Sequence, residues 1–213
     1  MSHIPRFVFR LWYRGAPIAL LGAALALAAC STAGPPPVTY VLGEPASPVQ
    51  SAEPLTGRPV IEVRPVLVPD YLDVADILIR QGGHMVAPSP TGRWGERLSA
   101  GVTRALAAGL ARRLPDLVIV TSPPVEPPSR QVLVDVATFE PSADGKVVLV
   151  AQWRVLDGDS GGTLTGERVS LEKPIAGTGD PAVVAAMSSV TEELADHVAA
   201  GIERSGPAMP PTQ

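Results

Sequence analysis

The sequence predicts a single α+β domain: a largely antiparallel or mixed β-sheet with two long helices packed on it. Three observations carry that expectation. The runs "QVLVDVATF" (131–139), "VVLVAQWRV" (147–155) and "TLTGERVSL" (163–171) have strand character, and their connections "EPSADGK" and "LDGDSGG" are rich in Asp and Gly, as in an antiparallel meander. Two other stretches repeat apolar residues at helical spacing. The chain of 213 residues is 46% hydrophobic and 18% charged, a composition that can bury a core. Only 4% is aromatic, so that core must rest on Val, Leu, Ile and Ala.

The first segment is an address. Residues 1–14 hold Arg6, Arg10 and Arg14 and no acid, and residues 15–29 hold no charge. A positive stub, an apolar run and small residues at its end make a secretory signal. The run is shorter than the ~20 residues a spanning helix needs. The chain's single cysteine, Cys30, follows it. Leu27-Ala28-Ala29-Cys30 resembles the lipobox of bacterial lipoproteins. That resemblance implies cleavage before Cys30 and acylation of its thiol and new amine, and Ser31 leans the sorting towards the outer membrane. One acyl chain anchors only marginally, whereas several hold a protein on the bilayer. Without the leader, fourteen Lys+Arg face twenty-one Asp+Glu, a net charge of −7. Attachment through a polybasic patch is thereby excluded, and no basic cluster marks a nucleic-acid site.

The mature chain then divides into a lipidated N-terminus and Pro-rich tether (30–37), a domain (38–204) and a tail (205–213) with nothing to bury. "VTYVL" (38–42) reads as a first strand. "PVIEVRPVLVP" (59–69) reads as a second, placed at an edge or interrupted by Pro59 and Pro65. "ILIR" (77–80) and "HMVA" (84–87) are short strands around Gly82-Gly83. Trp94, Leu98, Val102, Leu106 and Leu110 recur every four residues and predict a helix capped by Thr91 and ended by Pro115. "LVIV" (117–120) reads as a fully buried strand. After the meander, Asp180 suits a helix cap and Pro181 the first helical position. Val183, Met187, Val190, Leu194, Val198 and Ile202 then form one apolar stripe.

Motifs that could carry chemistry are few. "GDSGG" (158–162) is similar to the nucleophile segment of trypsin-like proteases, with Ser160 as the nucleophile. Neither His84 nor His197 lies in that family's histidine motif, so a turn built by Asp157, Gly158, Gly161 and Gly162 is the expectation. Read as a calcium loop from Asp157, the twelfth position is Arg168, a cation where a carboxylate is needed. Asp70, Asp73 and Asp76 fall three apart and could share a face, but a solvated turn is the simpler reading. The histidines lack zinc-ligand spacing. No catalysis, metal or other cofactor is expected.

One stretch does carry a functional signal. "VIEVRPVLVPDYLDVADILIRQGG" (60–83) followed by "RWGERLSAGVTRALAAGL" (93–110) resembles the ABC-type transport auxiliary lipoprotein family, which includes paraquat-inducible protein C. The matching features are Pro69, Tyr71-Leu72-Asp73, a strand ending in Arg80, then Trp94 opening a helix with Leu98 a turn on. The resemblance spans 38–203. It implies a docking or sealing role at the periplasmic face of the outer membrane, beside a mammalian-cell-entry-type protein and its ABC permease and ATPase. Self-association is left open. Tyr71 and Arg80 are the interface residues it points to, with Pro69, Leu72, Asp73, Trp94 and Leu98 as motif or core positions. The alternatives are a generic outer-membrane assembly lipoprotein and a periplasmic serine hydrolase using Ser160.

Overall fold

The computed structural model describes residues 36–44 and 57–206. The leader (1–29), Cys30, most of the tether and the tail from 207 onward lie outside them. The elements are β1 (Val38–Tyr40), β2 (Val60–Val63), β3 (Asp76–Gly82), β4 (Met85–Trp94), α1 (Leu98–Arg113), β5 (Val118–Val120), β6 (Arg130–Ser142), β7 (Lys146–Asp157), β8 (Thr163–Pro174) and α2 (Gly179–Arg204).

The meander forms as predicted. β6 and β7 pair antiparallel from Arg130↔Asp157 to Ser142↔Lys146. β7 and β8 pair from Lys146↔Pro174 to Leu156↔Thr163. The rest of the sheet makes it mixed. On its other edge β6 runs parallel to β2 at Ile61–Val63 and meets β3, also parallel, at Arg80↔Ser142. Beyond β2 lies β5, again parallel. Beyond β3 lies its hairpin partner β4, and then β1, parallel to β4.

Several boundaries differ from the sequence reading, each for a local reason. The 59–69 run is interrupted, not an edge: β2 sits between β5 and β6. Pro65 has no N–H to give the ladder. Leu67 rejoins β6 afterwards, its N–H bonding Val134 O at 3.0 Å and its carbonyl accepting Val136 N–H at 2.8 Å. β5 is only half-buried, because it borders β2 alone. β4 is much longer than its 84–87 core. Pro88 and Pro90 are tolerated there because β1 joins β4 only at Gly92–Trp94.

Trp94 ends β4 and does not open the helix. Its N–H bonds Ala75 O at 2.7 Å, and Gly95 N–H bonds Tyr40 O at 2.7 Å. The period of four continues across this corner because Trp94 and Leu98 enter one core. Thr91 is therefore no cap; it lies in β4 and donates its hydroxyl to Asp180 at 2.6 Å. Nor is Asp180 the cap of α2. That position belongs to Thr178, and Asp180 stands in the first turn, where the positive end of the helix favours a carboxylate.

Both helices cover one face of the sheet. Val132, Val134, Val136, Phe139, Val147, Leu149, Ala151, Trp153 and Val155 are buried beneath them. So are Leu98, Val102, Leu106 and Leu110 of α1 and the whole predicted stripe of α2. Each such side chain stabilises the fold by roughly 1.5–3 kcal/mol relative to exposure. The helices meet closely: a Cβ on Gly109 would stand 2.8 Å from that of Ala195. Arg113 fixes the crossing, donating to Asp196 at 2.6 Å and Glu192 at 2.8 Å. Among the described residues no helix is long and apolar enough to cross a membrane.

Gly201 of α2 lies hard against Trp153 of β7, where a Cβ would stand 2.2 Å from the indole ring. Trp153 is completely buried, so the ring has nowhere to withdraw. Gly201→Val should lower unfolding stability by about 1–3 kcal/mol or more, read from urea denaturation midpoints. Unchanged midpoints would mean the helix rides further from the sheet.

Candidate interaction surface

The turn between β2 and β3 sends three consecutive side chains to three places. Its backbone closes through Leu72 N–H to Pro69 O at 2.9 Å and Asp73 N–H to Asp70 O at 3.2 Å. Leu72 is buried in the core. Asp73 reaches α1, which has no acid in its first turn and no side-chain cap of its own. The Asp73 carboxylate accepts the Ser99 backbone N–H at 2.9 Å and an Arg97 N–H at 3.2 Å. It thus caps a helix from 26 residues away. Burial pushes the Asp73 pKa upward, but Ser99 and Arg97 outweigh it and hold it below the usual carboxylate range.

Tyr71 points the other way, towards Glu140 on β6. A register shift between Val136 and Thr138 is a β-bulge, which changes which residues face the helices. Glu140 is thereby placed opposite Val148, on the sheet face away from the helices, yet it is only 5% exposed. Arg80 supplies the charge it needs: Nε and Nη2 each stand 2.6 Å from Oε1. The Tyr71 hydroxyl donates to Oε2 at 3.3 Å, and Arg80 Nη1 reaches Gly83 O at 3.3 Å. Burial raises the Tyr71 pKa and the Glu140 charge adds to it, with Arg80 opposing.

Tyr71 and Arg80 are therefore brought together, through an acid that sequence reasoning missed. The sequence reading places Glu140 in the connection after 139, whereas β6 runs on to Ser142. The role of Glu140 depended on the bulge, which no spacing rule shows. Tyr71 remains 41% exposed, with Met85 at 61% and Leu67 at 62%. Next to Leu67 the same sheet face forms a groove of about 470 Å³, lined by Arg64, Pro65, Leu133, Asp135 and Arg154 among others.

The three aspartates do not converge. Asp73 caps α1, and Asp76 takes Arg93 Nε at 3.3 Å. Among the described residues no group of His, Cys, Asp and Glu could hold a metal ion. "GDSGG" forms the β7–β8 turn. The Ser160 backbone N–H and hydroxyl both bond Asp157 Oδ1, at 2.9 and 2.8 Å, and depress the Asp157 pKa. The Ser160 hydroxyl is thus given to a carboxylate three residues back, which closes a turn. His197 Nδ1 faces Glu167 at 3.5 Å.

The model of the ABC-type transport auxiliary lipoprotein component family matches residues 40–199. The chain belongs to that family. The match takes in the turn, Arg80, Glu140, α1 and most of α2, so the arrangement just described lies within the matched residues. Family membership makes the protein an auxiliary lipoprotein of an ABC transport system and places it with membrane-anchored proteins of the cell envelope. Among solved structures, an uncharacterized protein superposes with a TM-score of 0.64 at 22% identity, covering 77% of this chain and 97% of its own. Protein XCC0632 from Xanthomonas campestris does so with 0.59 at 15% identity, covering 79% and 95%. Both support the fold. No curated protein matches the chain by sequence.

Asp73→Ala should leave the start of α1 without an acceptor and cost about 0.5–2 kcal/mol, as loss of a cap does. Because the folded Asp73 pKa is depressed, its contribution is fully present above the unfolded carboxylate pKa and is lost as pH falls through the folded one. The variant's deficit should therefore shrink on acidification. A deficit in urea melts that is constant between neutral and acidic pH would remove Asp73 from this role.

Proposed function

We propose that this chain is the lipid-anchored subunit of an ABC system of the mammalian-cell-entry type. It is held through Cys30 on the periplasmic face of the outer membrane and docks or seals the lipid conduit there. The family match over 40–199 carries this reading. The lipobox ending at Cys30 supports the anchor, with residues 1–29 removed and the tether to 37 spacing the domain from the bilayer. The surface around Tyr71, continued by Met85 and Leu67, is the contact we assign to the periplasm-spanning partner. Arg80 holds Tyr71 in place through Glu140. An exposed aromatic anchored by an arginine is the kind of residue on which interfaces concentrate their binding energy.

A pull-down from membranes in mild detergent tests the whole reading. The full chain should recover a mammalian-cell-entry-type protein, and Tyr71→Ala should recover several-fold less at equal abundance. Cys30→Ser should incorporate no palmitate and remain an uncleaved precursor. Repeated recovery of another outer-membrane complex would replace this reading with that of a general assembly lipoprotein. Normal palmitate labelling of the Cys30→Ser variant would overturn the anchor.

A further inference from the structure

β8 is an edge strand. β7 occupies one of its sides and no described strand the other. Over Thr163–Pro174 it therefore leaves a row of backbone N–H and C=O groups open, a template for another strand. Proteins commonly protect such edges with charge. Here the charges are Glu167, Arg168, Glu172 and Lys173, and their order matters.

In an antiparallel pair, directly opposed residues lie on the same face of the sheet. Two copies of β8 joined about a two-fold axis into one continuous sheet can thus be centred only on a residue, not between two. Centring on Arg168 or Glu172 sets that charge against itself. Centring on Val169 or Leu171 sets every charge against a neutral residue. Centring on Ser170 sets Arg168 against Glu172 of the second copy and Glu167 against its Lys173, each twice by symmetry. Val169 then opposes Leu171 of the second copy on the helix-covered face. Gly166 meets Pro174 at the ends, where a missing N–H is tolerated.

On the helix side Lys173 already binds Glu193 at 2.6 Å and Glu167 faces His197 at 3.5 Å, so the open face decides the register. Arg168 opposes Gln152 and Ser170 opposes Val150, on the face away from α2, and both are exposed. Among the described residues the Arg168 side chain makes no hydrogen bond or ion pair, whereas Glu172 binds Lys146 at 2.9 Å. The second copy gives Arg168 the carboxylate it lacks.

We propose that β8 pairs with β8 of a second copy of this chain, antiparallel and centred on Ser170, forming a two-fold dimer with one continuous sheet. The proposal is independent of where the chain is anchored and of what it carries. In this register the Ser170 Cα atoms stand about 4.5–5.5 Å apart, within the ~4.4–6.8 Å a disulfide spans. Ser170→Cys in the full chain, in membranes under mild oxidation, should give a covalent dimer on non-reducing gels. Thr163→Cys, many residues from its own mate, should not exceed the wild-type background. Arg168→Glu combined with Ser170→Cys should reduce the dimer several-fold. No dimer from Ser170→Cys, equal dimer from Thr163→Cys, or no effect of Arg168→Glu would each overturn the proposal.

Discussion

Every branch of the sheet hydrogen-bonds, directly or through one or two neighbours, to β6. Its one edge carries the whole meander through β7. Its other edge is shared, with β2 on its first residues and β3 on its last. Between those two strands, Leu67 fills the gap with a single parallel bridge to Asp135. A strand with partners on both edges has little freedom to slip, because a shift of one residue would turn Val132, Val134 and Val136 away from the helices. The bulge beyond Val136 is the one place where that register is relaxed, and it turns Glu140 to the opposite face.

The proposed interaction surface is a consequence of that bulge. Glu140 is too buried to stand alone, since an unpaired carboxylate there would cost several kcal/mol. Arg80 neutralises it from β3 and Tyr71 caps it from the turn. Asp73, two residues on, ties the same turn to α1. One short segment thus joins strand, sheet face and helix, and Tyr71 is presented on a rigid base. In the docking role proposed for it, a side chain held in this way would lose little conformational freedom on binding. The run Tyr71-Leu72-Asp73 acquires a physical meaning: one residue for the surface, one for the core, one for the helix.

The face away from the helices carries the features to which binding is assigned in the proposals above. It holds the groove beside Leu67, the exposed Tyr71 and, at its far side, the open edge of β8. The opposite face is closed by α1 and α2, whose crossing is set by Gly109 and by Arg113 with Glu192 and Asp196.

Periodicity alone determined the meander and both helical stripes, because alternation and the 3.6-residue repeat record which face of an element is dry. The arginine stub, the uncharged run and the lipobox at Cys30 likewise set the expectation of an anchor. Only the tertiary structure decided where elements stop. Trp94 continues a helical spacing while ending a strand, and Thr91 and Asp180 spend their capping groups on each other. Only the fold brought Arg80 and Tyr71 to Glu140, and Asp73 to Ser99. Those contacts join residues 26 to 69 apart in sequence. Local pattern carries no record of distant partners, which are chosen by sheet register and by a single bulge.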